Sequence, residues 1–322
     1  MSYVAPANNG TTASAALNYA TEYSRALSQN FPYVLNFGAL YNTPNNGRYR
    51  WVNAKTIEIP SISTTGRVDA DRDTVAFAQR NYSNRWEAKT LENERKWSTL
   101  VHPMDIDQTN MVSTIANITQ VFNEEHKFPE MDAYTISKIY ADWTSVEDPD
   151  TGVTHTADTT ALTTANILSV FDSLMLKMDN ARVPANGRIL YVTHEVNYIL
   201  KEAEKISRSL DVSSGPNAID RRVNRLDQVQ IIPVPSVLMK TAYDFSTDWA
   251  VDDDAEQINM MLIDPRAVIT PVSYTFSRLD APSAMSEGKY TYYEESFEDV
   301  FILNNKSNAI QFNVTAGSST ES

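Results

Sequence analysis

The side chains able to do chemistry are few, and their spacing does not bring them together. The four histidines, His102, His126, His155 and His194, never fall into the HxxxH or HExxH spacing that sets two imidazoles on one helix face for a metal ion. Each therefore reads as a surface or structural histidine. Cysteine is absent, which removes disulfides, thiolate ligands and cysteine nucleophiles and fits a chain made in a reducing cytosol. No GxxxxGK[ST], GxGxxG or GxSxG motif occurs, and nine glycines in 322 residues leave little backbone for cradling phosphate.

Three acidic arrangements invite a cation. Asp69, Asp71 and Asp73 imitate the start of a calcium loop, but Thr74 replaces the turn glycine and Arg80 the closing glutamate. Asp148, Asp150 and Gly152 fail similarly, with Thr159 at the last ligand position. The run Asp252-Asp253-Asp254 is the remaining basis for a metal-assisted hydrolase. Nothing near it in sequence supplies an organised set of supporting groups, and a solvated acidic loop explains it better. The expectation is a protein that is not an enzyme and holds neither metal nor cofactor.

Charge is unevenly distributed. The formal net charge is −14, yet residues 1–100 contain 11 Lys and Arg against 8 Asp and Glu, so the remainder carries all of the excess acid. An acidic body argues against sequence-specific nucleic-acid binding, which depends on Lys and Arg at phosphates. Trp86 beside Arg85 could suggest stacking on bases, but alternation along a strand favours burial beneath a neighbouring chain. The opening MSYVAPANNGTTASAA lacks a basic region followed by an apolar one, and no long apolar run suggests a membrane span.

The elements that would position these residues centre on Pro103 to Trp143. Met111, Ile115, Ile118 and Phe122 step by four, three and four residues, one apolar stripe on a helix expected from about Ile106 to about Lys127. Asp105 and Gln108 resemble a capping box. A second helix is expected to restart at Phe128-Pro129-Glu130, because proline is tolerated in a first turn. Upstream, YRWVNAKTIEI reads as a strand ended by Pro60, followed by a long polar hairpin on which Trp86, Leu91 and Trp97 return. That hairpin has too little apolar content to fold alone, so an arm laid on another subunit accounts for it. Downstream, the helix pattern from Ile167 to Met178, the strand RILYVTHE, the helix VNYILKEAEKI and the strand VQIIPVPS indicate a compact α/β unit. The stretch from Ala267 to Val314 is strand-rich.

The order of these parts carries a resemblance. AKTIEIP (54–60), a polar hairpin, TLENER (90–95), MDIDQTN (104–110) and FPEMDAYTISKI (128–139) resemble the major capsid proteins of tailed bacteriophages, in the form common among phages of Gram-positive bacteria. VPANGRILYVTHEVNYILKEAEKISRSLDV (183–212), LDQVQIIPVPS (226–236), INMMLIDPRAV (258–268) and NNK (304–306) agree, so the resemblance covers about residues 15–315.

The resemblance implies an α+β chain with the Hong Kong 97-like phage capsid fold. It assigns residues 1–46 to an N-terminal arm, 47–100 to an extended loop over a neighbour, and 101–159 to a peripheral domain with its spine helix. Residues 160–266 become an axial domain, and 267–322 the peripheral sheet and tail. The implied function is self-assembly into hexamers and pentamers of an icosahedral shell around double-stranded DNA, bound without sequence specificity. Expected partners are further copies of the chain, a separate scaffolding protein, a portal and decoration proteins, with no membrane. The implied location is the virion, after assembly in the bacterial host cytoplasm. Arg67, Arg72, Arg80, Arg85 and Trp86 are the expected inter-subunit contacts, and Met111, Ile115, Ile118 and Phe122 the packing stripe of the spine helix. An encapsulin-like nanocompartment shell is the alternative that shares the fold.

Overall fold

A computed structural model describes residues 33–67, 80–108, 114–203 and 225–315. Its longest element differs from the two-helix expectation. Pro103–Gln108 forms a short helix of its own, and Asp105 lies inside it instead of capping it. The first turn is served by His102, whose Nδ1 accepts the Met104 N–H at 3.1 Å. A new helix then begins at Ile115, with the Thr114 hydroxyl accepting the Asn117 N–H. From there the chain stays helical through Asn123–Lys127 to Ser145, with no restart at Phe128.

Proline explains both the misreading and the shape. Pro129 cannot donate to the carbonyl four residues back, and its ring crowds that carbonyl. The helix answers by widening into a π turn at Asn123–Lys127, where the Phe128 N–H reaches the Asn123 carbonyl five residues back. The result is one continuous strut across a residue that would ordinarily end it.

The strut packs on a five-stranded sheet ordered Ile310–Thr315, Gln257–Ile263, Ile189–Thr193, Val229–Val234 and Arg225–Leu226. Ile189–Thr193 and Val229–Val234 run parallel and the other neighbours antiparallel. The parallel pair is joined through helix His194–Glu202, as the strand, helix, strand order requires. Ile189–Thr193 is buried along its length, which explains its continuous run of apolar and aromatic residues over Ile189–Val192. Helix Ile167–Asn180 covers this sheet with Ile167, Phe171, Leu174 and Met178. The strut contributes Tyr140 and Trp143, both edge-on to Phe312, and the Trp143 indole N–H donates to the Ser307 carbonyl at 3.2 Å.

The C-terminal strand corrects the expected partition of sheets. Ile310–Thr315 pairs with Gln257–Ile263, so it belongs to the central sheet and not to a separate sheet built after residue 267. The separate sheet is Val272–Asp280, Tyr290–Glu298 and Glu94–Val101, all antiparallel.

The segment read as one strand over Tyr49–Ile59 is instead a tight pair, Arg50–Asn53 and Thr56–Thr64, turning at Ala54-Lys55. Pro60 does not end the second strand. Arg50–Asn53 pairs no farther than Glu58, so Pro60 faces an open edge where its missing N–H is not needed. Thr56–Thr64 then pairs along its whole length with Tyr82–Thr90. Of the aromatic residues expected on one returning strand, Trp86 lies on this hairpin and Trp97 on the other sheet, with buried Leu91 in the connection between them.

Candidate assembly surface

The hairpin Thr56–Thr64/Tyr82–Thr90 is rooted at one end and open at the other. Side chains alternate between its faces, and residues directly opposite in an antiparallel pair share a face. Ile57 and Lys89 are one such pair, and Ile59 and Glu87 the next on that face. Ile57 is fully buried in a small second core with Leu91, Ile269, Phe297, Phe301 and Leu303. Beside it Glu87 accepts from the Asn304 side-chain amide, and Lys89 donates to the Asn304 side-chain oxygen at 2.9 Å. These contacts root the hairpin on the body.

The opposite face carries Pro60 with Trp86, Ile62 with Asn84, and Thr64 with Tyr82. Trp86 is 42% exposed, Tyr82 56% and Ile62 73%. The Arg50 guanidinium lies 3.9 Å over the Trp86 ring and pairs with Glu58 at 2.7 Å, partly covering the indole. Three large apolar side chains on one face of the hairpin form a surface that the described residues leave largely uncovered.

The expected arginines do not act as one group. Arg67 and Arg80 are exposed beyond the last paired residues Thr64 and Tyr82, while Arg72 lies outside the described residues. Arg85 shares the rooted face with Ser61, opposite to Trp86, and lines a recess of about 400 Å³ with Glu147 and Asp148 of its own chain. Adjacent sequence positions on a strand point apart, so Arg85 and Trp86 address different surroundings.

The helix stripe is also divided. Met111 lies outside the described residues. Phe122 stacks on Trp97 from the separate sheet, with ring centroids 3.9 Å apart. Ile115 lines a shallow groove with Leu279 and Tyr292, and Ile118 is half-buried. Around the Trp97–Phe122 stack the helix and sheet exchange ion pairs: Arg95 with Glu130, and Lys127 with Glu294. Glu298 faces the same cavity of about 350 Å³, and burial, against the pull of Lys127, holds its carboxyl above the usual range.

Two buried carboxylates escaped the sequence reading. Asp132 accepts the Tyr33 hydroxyl, the Asn36 and Phe37 N–H groups and the Asn36 amide, tying residues 33–37 to the strut. Its burial raises its pKa, with these donors opposing the rise. Asp299 accepts the Tyr134 hydroxyl at 2.7 Å and the Glu92 N–H at 2.8 Å, joining strut, hairpin root and sheet. Arg188, also missed, is buried and donates to Asp179, Pro184 and Val183. A buried charge in an otherwise apolar run was the only available sign.

Asp252-Asp253-Asp254 forms an exposed turn in which Asp252 accepts the Asp254 N–H at 3.0 Å. Among the described residues, no group of three or more His, Asp or Glu side chains is placed to hold a metal ion. No helix among them is long and apolar enough to cross a membrane.

No protein-family model matches the sequence, and no curated protein does so. Solved structures do. The chain is similar to a subunit of the mature capsid of bacteriophage PhiM1, at 14% identity and TM-score 0.65, over 93% of each chain. It is similar to the capsid of cyanophage P-SCSP1u at 11% identity and TM-score 0.62, over 93% of this chain and 94% of that one. It is similar as well to the acid-stable capsid of Helicobacter pylori bacteriophage KHP30, at 12% identity and TM-score 0.57, over 92% and 94%. At these identities the shared property is the arrangement of the backbone, and it extends over nearly the whole of each chain. This chain therefore has the α+β fold of phage capsid subunits.

Proposed function

We propose that this chain is the major capsid protein of a tailed bacteriophage, assembling into hexamers and pentamers that close into an icosahedral shell around double-stranded DNA. The observation that carries this reading is the near-complete, end-to-end match to capsid subunits, in which neither partner contributes a large unmatched domain. The uncovered face of the hairpin supports it. Trp86, Tyr82 and Ile62, exposed on one face, gain burial when another chain lies against them.

In this reading residues 47–100 form the extended loop, whose hairpin Thr56–Thr64/Tyr82–Thr90 reaches over a neighbouring subunit. Residues 101–159 serve as the peripheral strut, 160–266 with the added strand Ile310–Thr315 as the axial domain, and the rest of 267–322 as the remaining peripheral part. Arg67, Arg72 and Arg80 meet acidic surface on the neighbour, and each exposed pair adds about 0.2–1 kcal/mol, so charge sets register while apolar burial supplies affinity. Repeated over a closed shell, such small contributions become decisive. A separate scaffolding protein, a portal and decoration proteins are the further partners, and the virion is the location.

Size-exclusion chromatography followed by electron microscopy of the purified protein, with and without a scaffolding partner, tests the reading. Closed polyhedral particles, or rings of five and six subunits, are the expected result. A stable monomer under both conditions overturns assembly as the function.

A further inference from the structure

One part of this acidic chain gathers basic side chains with too few carboxylates to neutralise them. Lys306, in the turn Asn304–Ala309, donates its ammonium to the Arg266 carbonyl at 3.1 Å. It stands between two recesses. The larger, about 380 Å³, also has Arg182 and Arg266 in its wall. The smaller, about 160 Å³, places Arg48 opposite Lys306, with Asn45 and Leu303.

Nearby acid is already engaged. Asp264 is held by Arg266, whose Nε and Nη2 both donate to it, the shortest contact being 2.6 Å. Asp150 accepts the Asn308 side-chain amide at 3.0 Å. Among the described residues, Arg48, Arg182 and Lys306 have no carboxylate at salt-bridge distance. Burial, followed by Arg48 and Arg266, holds the Lys306 ammonium below the usual lysine range, with Asp264 pulling the other way. A carboxylate placed between these cations would relieve that repulsion.

A group of complementary charge lies elsewhere on the chain. Asp252, Asp253 and Asp254 project from the exposed turn after Ala250–Val251, and among the described residues none of the three has a cationic partner. Within its own chain this turn is anchored beside Tyr243–Asp244, and none of its three aspartates lines either recess. We propose that the Lys306–Arg48 cleft, the smaller of the two recesses, receives the acidic turn Asp252–Asp254 of a second copy of this chain.

The proposal rests on the shell reading, which puts copies in contact, and it names one contact that reading does not contain. A nucleic-acid occupant is less suited to the cleft. Duplex DNA presents a charge about every 1.7 Å of its axis and calls for a row of cations along a track. Here Arg48 and Lys306 line a narrow recess walled by Ile59, Pro60, Ile269 and Leu303, which suits one or two carboxylates on a tight turn.

Charge reversal and crosslinking test it in the full-length chain. Arg48→Glu, Lys306→Glu and Asp253→Lys should each lower shell yield about tenfold or more, because each leaves a like charge at a desolvated contact. Combining Lys306→Glu with Asp253→Lys should restore yield. Circular dichroism and thermal melting of the soluble subunits check folding, and if Lys306→Glu fails to fold, exposed Arg48→Glu paired with Asp253→Lys carries the test. Because the natural chain has no cysteine, Asn305→Cys with Asp253→Cys should give intermolecular disulfide ladders in oxidised shells. Wild-type-like yield from the single reversals, or shells that form without ladders, overturns the contact while leaving the shell reading intact. Wild-type protein that never assembles overturns both. Binding of a duplex oligonucleotide that is abolished by Lys306→Glu overturns the contact in favour of DNA.

Discussion

The Trp97 indole and the Phe122 ring lie parallel, 7° from coplanar with centroids 3.9 Å apart, and join the separate sheet to the strut just before its π turn. Phe122→Ala removes this stack and opens the adjoining cavity. The expected cost is about 2–3 kcal/mol, below the value for a fully buried ring because Phe122 is half-buried. Urea unfolding of the soluble subunit measures it through the midpoint at unchanged slope.

Asp132 is the acceptor that holds residues 33–37 against the strut. Asp132→Ala leaves the Tyr33 hydroxyl and two backbone N–H groups facing inward without an acceptor, a loss of about 3 kcal/mol. Asp132→Asn keeps one acceptor oxygen but turns an amide N–H₂ toward these donors, and should cost about half as much. Faster exchange of the Asn36 and Phe37 amides, with little change in the central sheet, would place the effect at this anchor.

Two isoleucines on one strand separate stability from assembly. Ile57→Ala empties the small core at the hairpin root and should destabilise the subunit by about 2–4 kcal/mol. Ile62→Ala, on the exposed face, should stay within about 0.5 kcal/mol of wild type in unfolding yet reduce shell formation, as should Trp86→Ala. Unfolding curves and particle yields on the same preparations read both effects.

His155 should make stability fall in mild acid. Its ring stacks on Trp143, and its Nε2 meets the Ser307 hydroxyl at 2.9 Å. Burial lowers its pKa below the ordinary 6.5, with Asp148 opposing. The unfolded chain therefore binds a proton at a pH where the folded chain does not. Stability should decline as pH falls through 6.5 and level off below the folded pKa, and His155→Gln should flatten that window. Asp132, Asp142 and Glu298, raised by burial, contribute the opposite slope above the unfolded carboxylate range. Unfolding free energy measured across this range, wild type against His155→Gln, isolates the histidine.

Much of the architecture was legible because burial imposes periodicity. The pattern from Ile167 to Met178 is a helix because one face covers the sheet, and Ile189–Val192 is a continuous run of apolar and aromatic residues because both faces of the strand are buried. The strut was misread at both ends for local reasons. His102 caps a short first helix that looked like the start of a long one, and a π turn absorbs Pro129 where sequence rules expect a new beginning. The surface residues were legible as types and not as a group. Arg85 and Trp86 are neighbours in sequence and face opposite ways across the hairpin.

The sequence by itself determined most helix and strand types, the uneven charge and the lack of cysteine, since each follows from composition or local spacing. Only the tertiary structure decided which strands share a sheet, which carboxylates are buried and which cations crowd together. Ile310–Thr315 joins Gln257–Ile263 across some fifty residues of chain, Asp132 meets Tyr33 across a hundred, and Lys306 faces Arg48 across more than two hundred, about the separations at which local pattern carries no information. Their partners are chosen by packing a common core, and that choice is made by the whole chain at once.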